Sequence, residues 1–210
     1  MASSFSPPRT SISQSPNYDV FINHRGIDVK KTFASHLYRW LVSHGLTVFL
    51  DREVLQVGQT LTSQIQHAIR NASVHVAIFS ERYAESSWCL KELLLMLHTG
   101  KPIIPVFYHV TPSDLRWTQD AKYKYTQALR NLEMKKISDS QTHEQGKLRY
   151  NSTTIQNWRD ALSTVADICG LDLDAEFNGS ELYLLLISVF TISVSLYFNF
   201  CIYHFCITLF

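Results

Sequence analysis

Cysteine is scarce in this 210-residue chain, and the four present (Cys89, Cys169, Cys201 and Cys206) include no CxxC pair. No group of histidines accompanies them, so the spacing argues against zinc and no metal is expected. Two of the four fall in an apolar C-terminal run. The remainder reads as a reduced, intracellular protein, with disulfides the lesser alternative. In that setting the sequons at Asn71, Asn151 and Asn178 carry no weight, because glycosylation needs secretion. Net charge is also close to nothing: 19 basic and 18 acidic side chains leave +1. The basic residues are scattered, so neither a nucleic-acid face nor a general attraction to acidic partners is expected.

Two further absences concern the ends. Residues 1–16 are rich in Ser and Pro and lack the apolar stretch of a signal peptide, so they read as a disordered leader. A transit peptide is the poorer reading, since Arg9 is the segment's single basic residue. At the other end no Asp, Glu, Lys or Arg follows Glu181, and only His204 in 182–210 can gain a charge. That run exceeds the ~20 residues that span a bilayer. Serines, Asn199 and many aromatics make it an untidy span, and no Lys or Arg flanks it closely. Three readings stay open: a membrane tail anchor, a buried helix, or a non-native extension from a misjudged gene boundary. Residues 172–181 read as a linker.

What is present is a core. The chain is 46% hydrophobic and 18% charged, enough to bury one compact domain. After residue 17, β-rich runs alternate with helical segments. Strands are expected at 18–23 (YDVFIN), 47–50 (TVFL), 74–79 (VHVAIF) and 103–108 (IIPVFY). Between them, Phe33, Leu37, Trp40 and Leu41 share one helical face that Gly45 ends, and Leu61, Ile65, Ala68 and Ile69 share another. A helix follows SSW at Ser86–Trp88, TPSDLRWTQ reads as loop, and two more helices are expected near 123–134 and 154–169. Strand–helix alternation implies βαβ units and a parallel sheet, and near-continuous apolar strands imply cover on both faces. Ligands of such sheets bind at the carboxyl ends of the strands. Four loops lie there: His24–Asp28, Asp51–Gln59, Ser80–Ser87 and His109–Trp117.

Four motifs carry a resemblance. YDVFINHRGIDVKKTFASHLY, FLDREVLQVGQ, FSERYAESSWCLKEL and PVFYHVTPSDLR occur in order across residues 17–171. At that spacing they resemble plant Toll/interleukin-1 receptor (TIR) domains. The resemblance implies a flavodoxin-like α/β fold with a five-stranded parallel sheet flanked by helices, although the fifth strand cannot be read from the pattern. It also implies an NAD+ glycohydrolase or ADP-ribosyl cyclase of plant innate immunity. Such an enzyme releases nicotinamide after TIR self-association, using NAD+ as substrate and no cofactor. Other TIR-containing immune receptors are the implied partners. No nucleotide-binding or leucine-rich-repeat region follows, so the chain reads as TIR-only, unless such a region lies beyond a truncated gene model. A cytoplasmic location is expected, with membrane attachment only if 182–210 is a native tail.

The resemblance places the catalytic glutamate at Glu92. Nicotinamide on ribose is a pyridinium that leaves as a neutral molecule and needs no acid. Charge develops on the ribose as an oxocarbenium, as in glycoside cleavage. One carboxylate against the ribose suffices to stabilise it. By helical geometry Leu90, Leu93, Leu94 and Leu97 share an arc and Glu92 lies on its margin, one turn beyond Trp88. The bland reading is a solvated helix-edge residue. Trp88 either packs on the sheet or walls the ligand pocket, and Cys89 reads as small core packing because nothing near it would lower its pKa.

NAD+ contacts are implied over Arg25, Gly26, Ile27, Asp28, Val29 and Lys30. Arg25 can pair with phosphate, and Gly26 lets backbone approach a ligand. The bland alternative is a helix-capping loop with Asp28 as N-cap. Two departures stand out: Asn23-His24 where many plant members have Ser-Phe, and Lys30 where many have Arg, which loses bidentate phosphate binding. In the DREVLQVGQTL loop, which resembles one that contacts a neighbouring protomer and gates the NAD+ site, Asp51 and Gly58 carry over as NAD+-site residues; the bland readings are a solvated strand end and a turn. Ser35-His36 matches a Ser-His pair through which such domains meet; otherwise it is ordinary surface. Two other functions compete. A non-catalytic TIR adaptor would leave Glu92 without a task. A receiver-like phosphoacceptor needs an acidic pair after the first strand, which NHRG does not supply.

Overall fold

Four stretches rich in β-branched and aromatic residues, joined by a short fifth one, pair into one parallel sheet. A computed structural model describes residues 18–29, 33–50, 63–120, 122–135 and 148–173. Strands β1 (Tyr18–His24), β2 (Val48–Leu50), β3 (Ala72–Ser80), β4 (Ile103–Tyr108) and β5 (Leu171–Leu173) lie in the order β2-β1-β3-β4-β5. All the pairings are parallel, with Ile22 opposite both Leu50 and Val76, and Ile78 opposite Val106. The chain runs outward from β1 to β2, then returns past β1 to β3. The connections therefore diverge between β1 and β3, where an open α/β sheet leaves a crevice.

Strand alternation divides the apolar side chains between two cores. Val20, Ile22, Val74, Val76, Ile78 and Val106 face α2 (Phe33–Ser43), whose Phe33, Ala34, Leu37 and Leu41 are buried. Phe21, Ala77, Phe79 and Phe107 face the opposite layer, built from α3 (Ser63–Asn71), α4 (Ser87–His98), α6 (Lys124–Glu133) and α7 (Ser152–Ala166). Gly45 follows α2 with φ 85°, the left-handed conformation that suits a helix stop. Two short elements differ from expectation. TPSDLRWTQ is not all loop: Pro112–Leu115 forms α5, because Thr111 and Asp114 make a reciprocal capping box behind an early proline. The unread fifth strand is Leu171–Leu173, so residue 171 falls inside an element rather than after the last one.

One core residue makes stability depend on pH. His75 on β3 is fully buried, and its Nε2 lies 2.8 Å from the Ile69 carbonyl. Burial, with Lys101 adding to it, lowers its pKa from 6.5 to about 4 against the opposing pull of that hydrogen bond. The unfolded chain therefore binds the proton that the native state refuses. Stability from this residue is fully present above pH 6.5 and drains away as pH falls toward about 4. The loss amounts to ~3 kcal/mol. Melts from pH 7 to pH 4 should show a shallower decline for His75→Leu than for the parent chain; equal slopes would refute this.

Candidate active site

The site assembles where β1 ends against the start of α4. Ser86 caps α4, its hydroxyl accepting from the Cys89 amide at 3.3 Å, and the buried Leu90, Leu93 and Met96 hold the helix on the sheet. Glu92 is only 4% exposed. This corrects the expected helix margin: the buried stripe runs through Cys89, Glu92, Leu93 and Met96, while Leu94 and Leu97 are the partly covered ones. Apolar side chains occur on several faces of α4, so periodicity alone could not locate the centre of its buried face. Burying a carboxylate is costly unless it is hydrogen-bonded. Glu92 Oε2 accepts from Asn23 Nδ2 at 2.8 Å.

Asn23, fully buried on the α4 side of β1, is bonded at its other end too. The Tyr83 hydroxyl lies 2.5 Å from Asn23 Oδ1 and 3.0 Å from the Cys89 carbonyl. Tyr83 belongs to a 3₁₀ turn, Tyr83–Glu85, between β3 and α4. The Cys89 thiol donates weakly to the His24 carbonyl at 3.5 Å. Burial, with Glu92 nearby, pushes that thiol far up, so Cys89 is inert packing as its sequence context implied. Burial likewise raises the Tyr83 phenol, which keeps its proton.

Around this cluster lies a polar strand-end network. Arg25 is followed by the single-turn helix α1 (Gly26–Val29), in which Asp28 sits third. Asp28 is thus not a free N-cap: Oδ1 takes Arg25 Nη1 at 2.8 Å and Oδ2 accepts from Ser80 Oγ at 2.6 Å. Arg25 Nη2 reaches Glu85 Oε2 at 3.1 Å, and Arg82 pairs with the same carboxylate. A phosphate at Arg25 would therefore compete with Glu85, the more exposed of the two acids.

The expected residues divide accordingly. Arg25, Gly26 and Asp28 lie together at the end of β1, and Ile27 projects into solvent at 74% exposure. The Val29 side chain is buried with Phe33, so it offers a ligand only backbone. Trp88 is half-buried, with the Lys91 amine 5.2 Å from its ring centre. Ser35 is half-buried and His36 exposed on α2. Lys30, Asp51 and Gly58 lie outside the described residues, as does 182–210. Among the described residues no helix is long and apolar enough to cross a membrane. A pocket of about 320 Å³ lined by Arg116, Trp117, Gln156, Arg159, Asp160 and Ser163 contains none of the expected site residues. Asn23, Tyr83, Ser80 and Glu85 were not foreseen as site residues. Asn23 was visible only as a departure, and Tyr83 only as an aromatic inside the polar ERYAESS loop.

A five-stranded, doubly wound parallel sheet with a buried carboxylate beside its β1/β3 crevice defines a flavodoxin-like α/β protein. The chain belongs to the TIR domain family, whose model matches residues 17–183. It is 39% identical over 150 residues to BdTIR of Brachypodium distachyon, whose name describes a probable 2′ cyclic ADP-D-ribose synthase. That alignment covers 71% of this chain and 66% of BdTIR. It is also 36% identical to TMV resistance protein N of Nicotiana glutinosa, over 81% of this chain, and 35% identical to disease resistance protein RPP5 of Arabidopsis thaliana, over 78%. The chain spans only 13% and 11% of those two proteins. Among solved structures, the TIR domains of the activated Roq1 resistosome superpose with a TM-score of 0.65 at 32% identity, covering 82% of this chain and 99% of that one.

Proposed function

We propose that the chain is an NAD+ glycohydrolase or ADP-ribosyl cyclase of plant immune signalling, with Glu92 as its catalytic residue. The supporting observation is the buried Glu92 carboxylate, fixed by Asn23 at the carboxyl end of the sheet. The C1′–N bond to the pyridinium breaks with both electrons leaving on nicotinamide, which departs neutral. The oxocarbenium left behind is stabilised by the carboxylate. Water then adds to C1′ and loses a proton, giving ADP-ribose; a hydroxyl of the other ribose adding instead gives a cyclic product. Arg25, on exchanging Glu85 for a phosphate, would hold the diphosphate end. The name of BdTIR favours the cyclic outcome. NAD+ acts here as substrate, and no cofactor or metal takes part.

Assembly through TIR–TIR contacts completes this reading, in the cytoplasm and with other TIR-containing receptors as partners. Purified chain under crowding should release nicotinamide from NAD+, faster than linearly in protein concentration. No release under assembling conditions would favour the adaptor alternative, in which the chain only scaffolds other TIR proteins. Ser35 and His36 sit on the outer side of α2 and are proposed as one contact. Replacing both with alanine should lower activity and self-association without shifting the melting temperature. Unchanged turnover and assembly would refute that contact.

A further inference from the structure

Asn23, one of the positions at which this chain departs from its resemblance, also touches the carboxylate. We infer that Asn23 is a positioning residue for Glu92, itself held by Tyr83, and that it fixes how the carboxylate meets the substrate ribose. This rests on the glycohydrolase reading above.

Strand alternation turns Asn23 toward the same layer as Phe21, directly beneath α4. Its amide orientation follows from its neighbours. Nδ2 faces Glu92 Oε2 and Oδ1 faces the Tyr83 hydroxyl, so each end of the amide meets a partner of the complementary kind. The Tyr83 hydroxyl has one hydrogen and two acceptors; the 2.5 Å contact to Asn23 holds it in preference to the 3.0 Å contact to the Cys89 carbonyl. Tyr83 is a rigid support, fully buried and packed with its ring centre 4.7 Å from that of Phe79. Its phenol stays protonated, so it donates throughout the working pH range.

The chain Tyr83–Asn23–Glu92 therefore ties three elements (the 3₁₀ turn, β1 and α4) into one polar relay. Each bond polarises the next, and inside the core such coupling strengthens the final contact. A glutamate on its own has three rotatable side-chain bonds. With one oxygen held by β1, the plane of this carboxylate is set by the sheet instead of by its own stem. That is preorganisation of a reacting group by a supporting residue, and its loss should cost turnover more than binding.

The test compares steady-state nicotinamide release from NAD+ by the 210-residue chain and its variants under crowding. Asn23→Ala should lower kcat roughly 10- to 100-fold while KM stays within about threefold. Asn23→Ser, which keeps a donor, should recover part of the loss. Tyr83→Phe keeps the packing but leaves Asn23 Oδ1 without its donor, so it should fold with a somewhat lower melting temperature and lower kcat by an intermediate factor. A kcat for Asn23→Ala within about twofold of the parent, or a loss confined to KM, would overturn the inference. So would Asn23→Ser performing no better than Asn23→Ala. If Asn23→Ala does not fold, Tyr83→Phe decides: an unchanged kcat overturns the inference and a lowered one supports it. Glu92→Gln separates the two levels. Full activity in that variant removes the catalytic reading and the inference with it, whereas a dead Glu92→Gln beside an active Asn23→Ala removes the inference alone.

Discussion

Glu92→Gln is expected to release nicotinamide from NAD+ at least about 10²–10³-fold more slowly than the parent chain, with an unchanged fold. The size follows from what is removed. The substituted amide has the same shape and can still accept from Asn23 Nδ2, so the buried contact survives. Only the negative charge facing the developing oxocarbenium disappears. Glu92→Ala is a less clean experiment, because it leaves the Asn23 amide buried without that acceptor and opens space beneath α4. Its activity loss would mix chemistry with destabilisation. Matching melts for parent and Glu92→Gln, together with chromatographic nicotinamide release, keep the two apart. Retained release in Glu92→Gln would remove Glu92 from the chemistry.

The same residue marks the limit of what sequence patterns carry. β1, β3 and β4 are legible because they are predominantly apolar runs, and α2, α3 and α7 because their buried residues recur at helical spacing. α4 was legible as a helix but not as an orientation. Leu90, Leu93, Leu94, Leu95, Met96 and Leu97 leave little contrast between its faces, so the register of Glu92 depends on which of them meets β1. The Asn23–Glu92 contact joins residues 69 apart in sequence, and no local pattern encodes such a pairing. Sequence motifs brought Arg25, Asp28 and Glu92 into one proposal. Only the tertiary structure supplied Tyr83, Ser80 and Glu85 as the groups that hold them.

β5 was unreadable for a different reason, and that reason predicts a large stability effect. Leu171-Asp172-Leu173 is too short to display an alternation, so its strand character comes from what it lies against. It pairs with β4, Val106 opposite Leu171 and Tyr108 opposite Leu173, and the Leu173 carbonyl accepts from the His109 amide at 3.3 Å. The approach that seats it is made by Gly170. A methyl group on Gly170 would lie 2.5 Å from the Pro105 carbonyl oxygen, 2.6 Å from Pro105 Cγ and 2.8 Å from Phe107 Cε2. The nearest of these is backbone in an interior strand, and the others belong to a ring and to a core aromatic, so none can swing aside. Gly170→Ala must therefore push β5 and the end of α7 away from β4. Overpacking of this kind costs on the order of 3 kcal/mol. For a chain of this size that lowers the melting temperature by roughly 6–12 °C. A Gly170→Ala variant melting within about 2 °C of the parent would mean that β5 is seated by other contacts. The effect on turnover should be small by comparison at temperatures where the variant is folded, because β4 and β3 stand between β5 and Asn23 on β1.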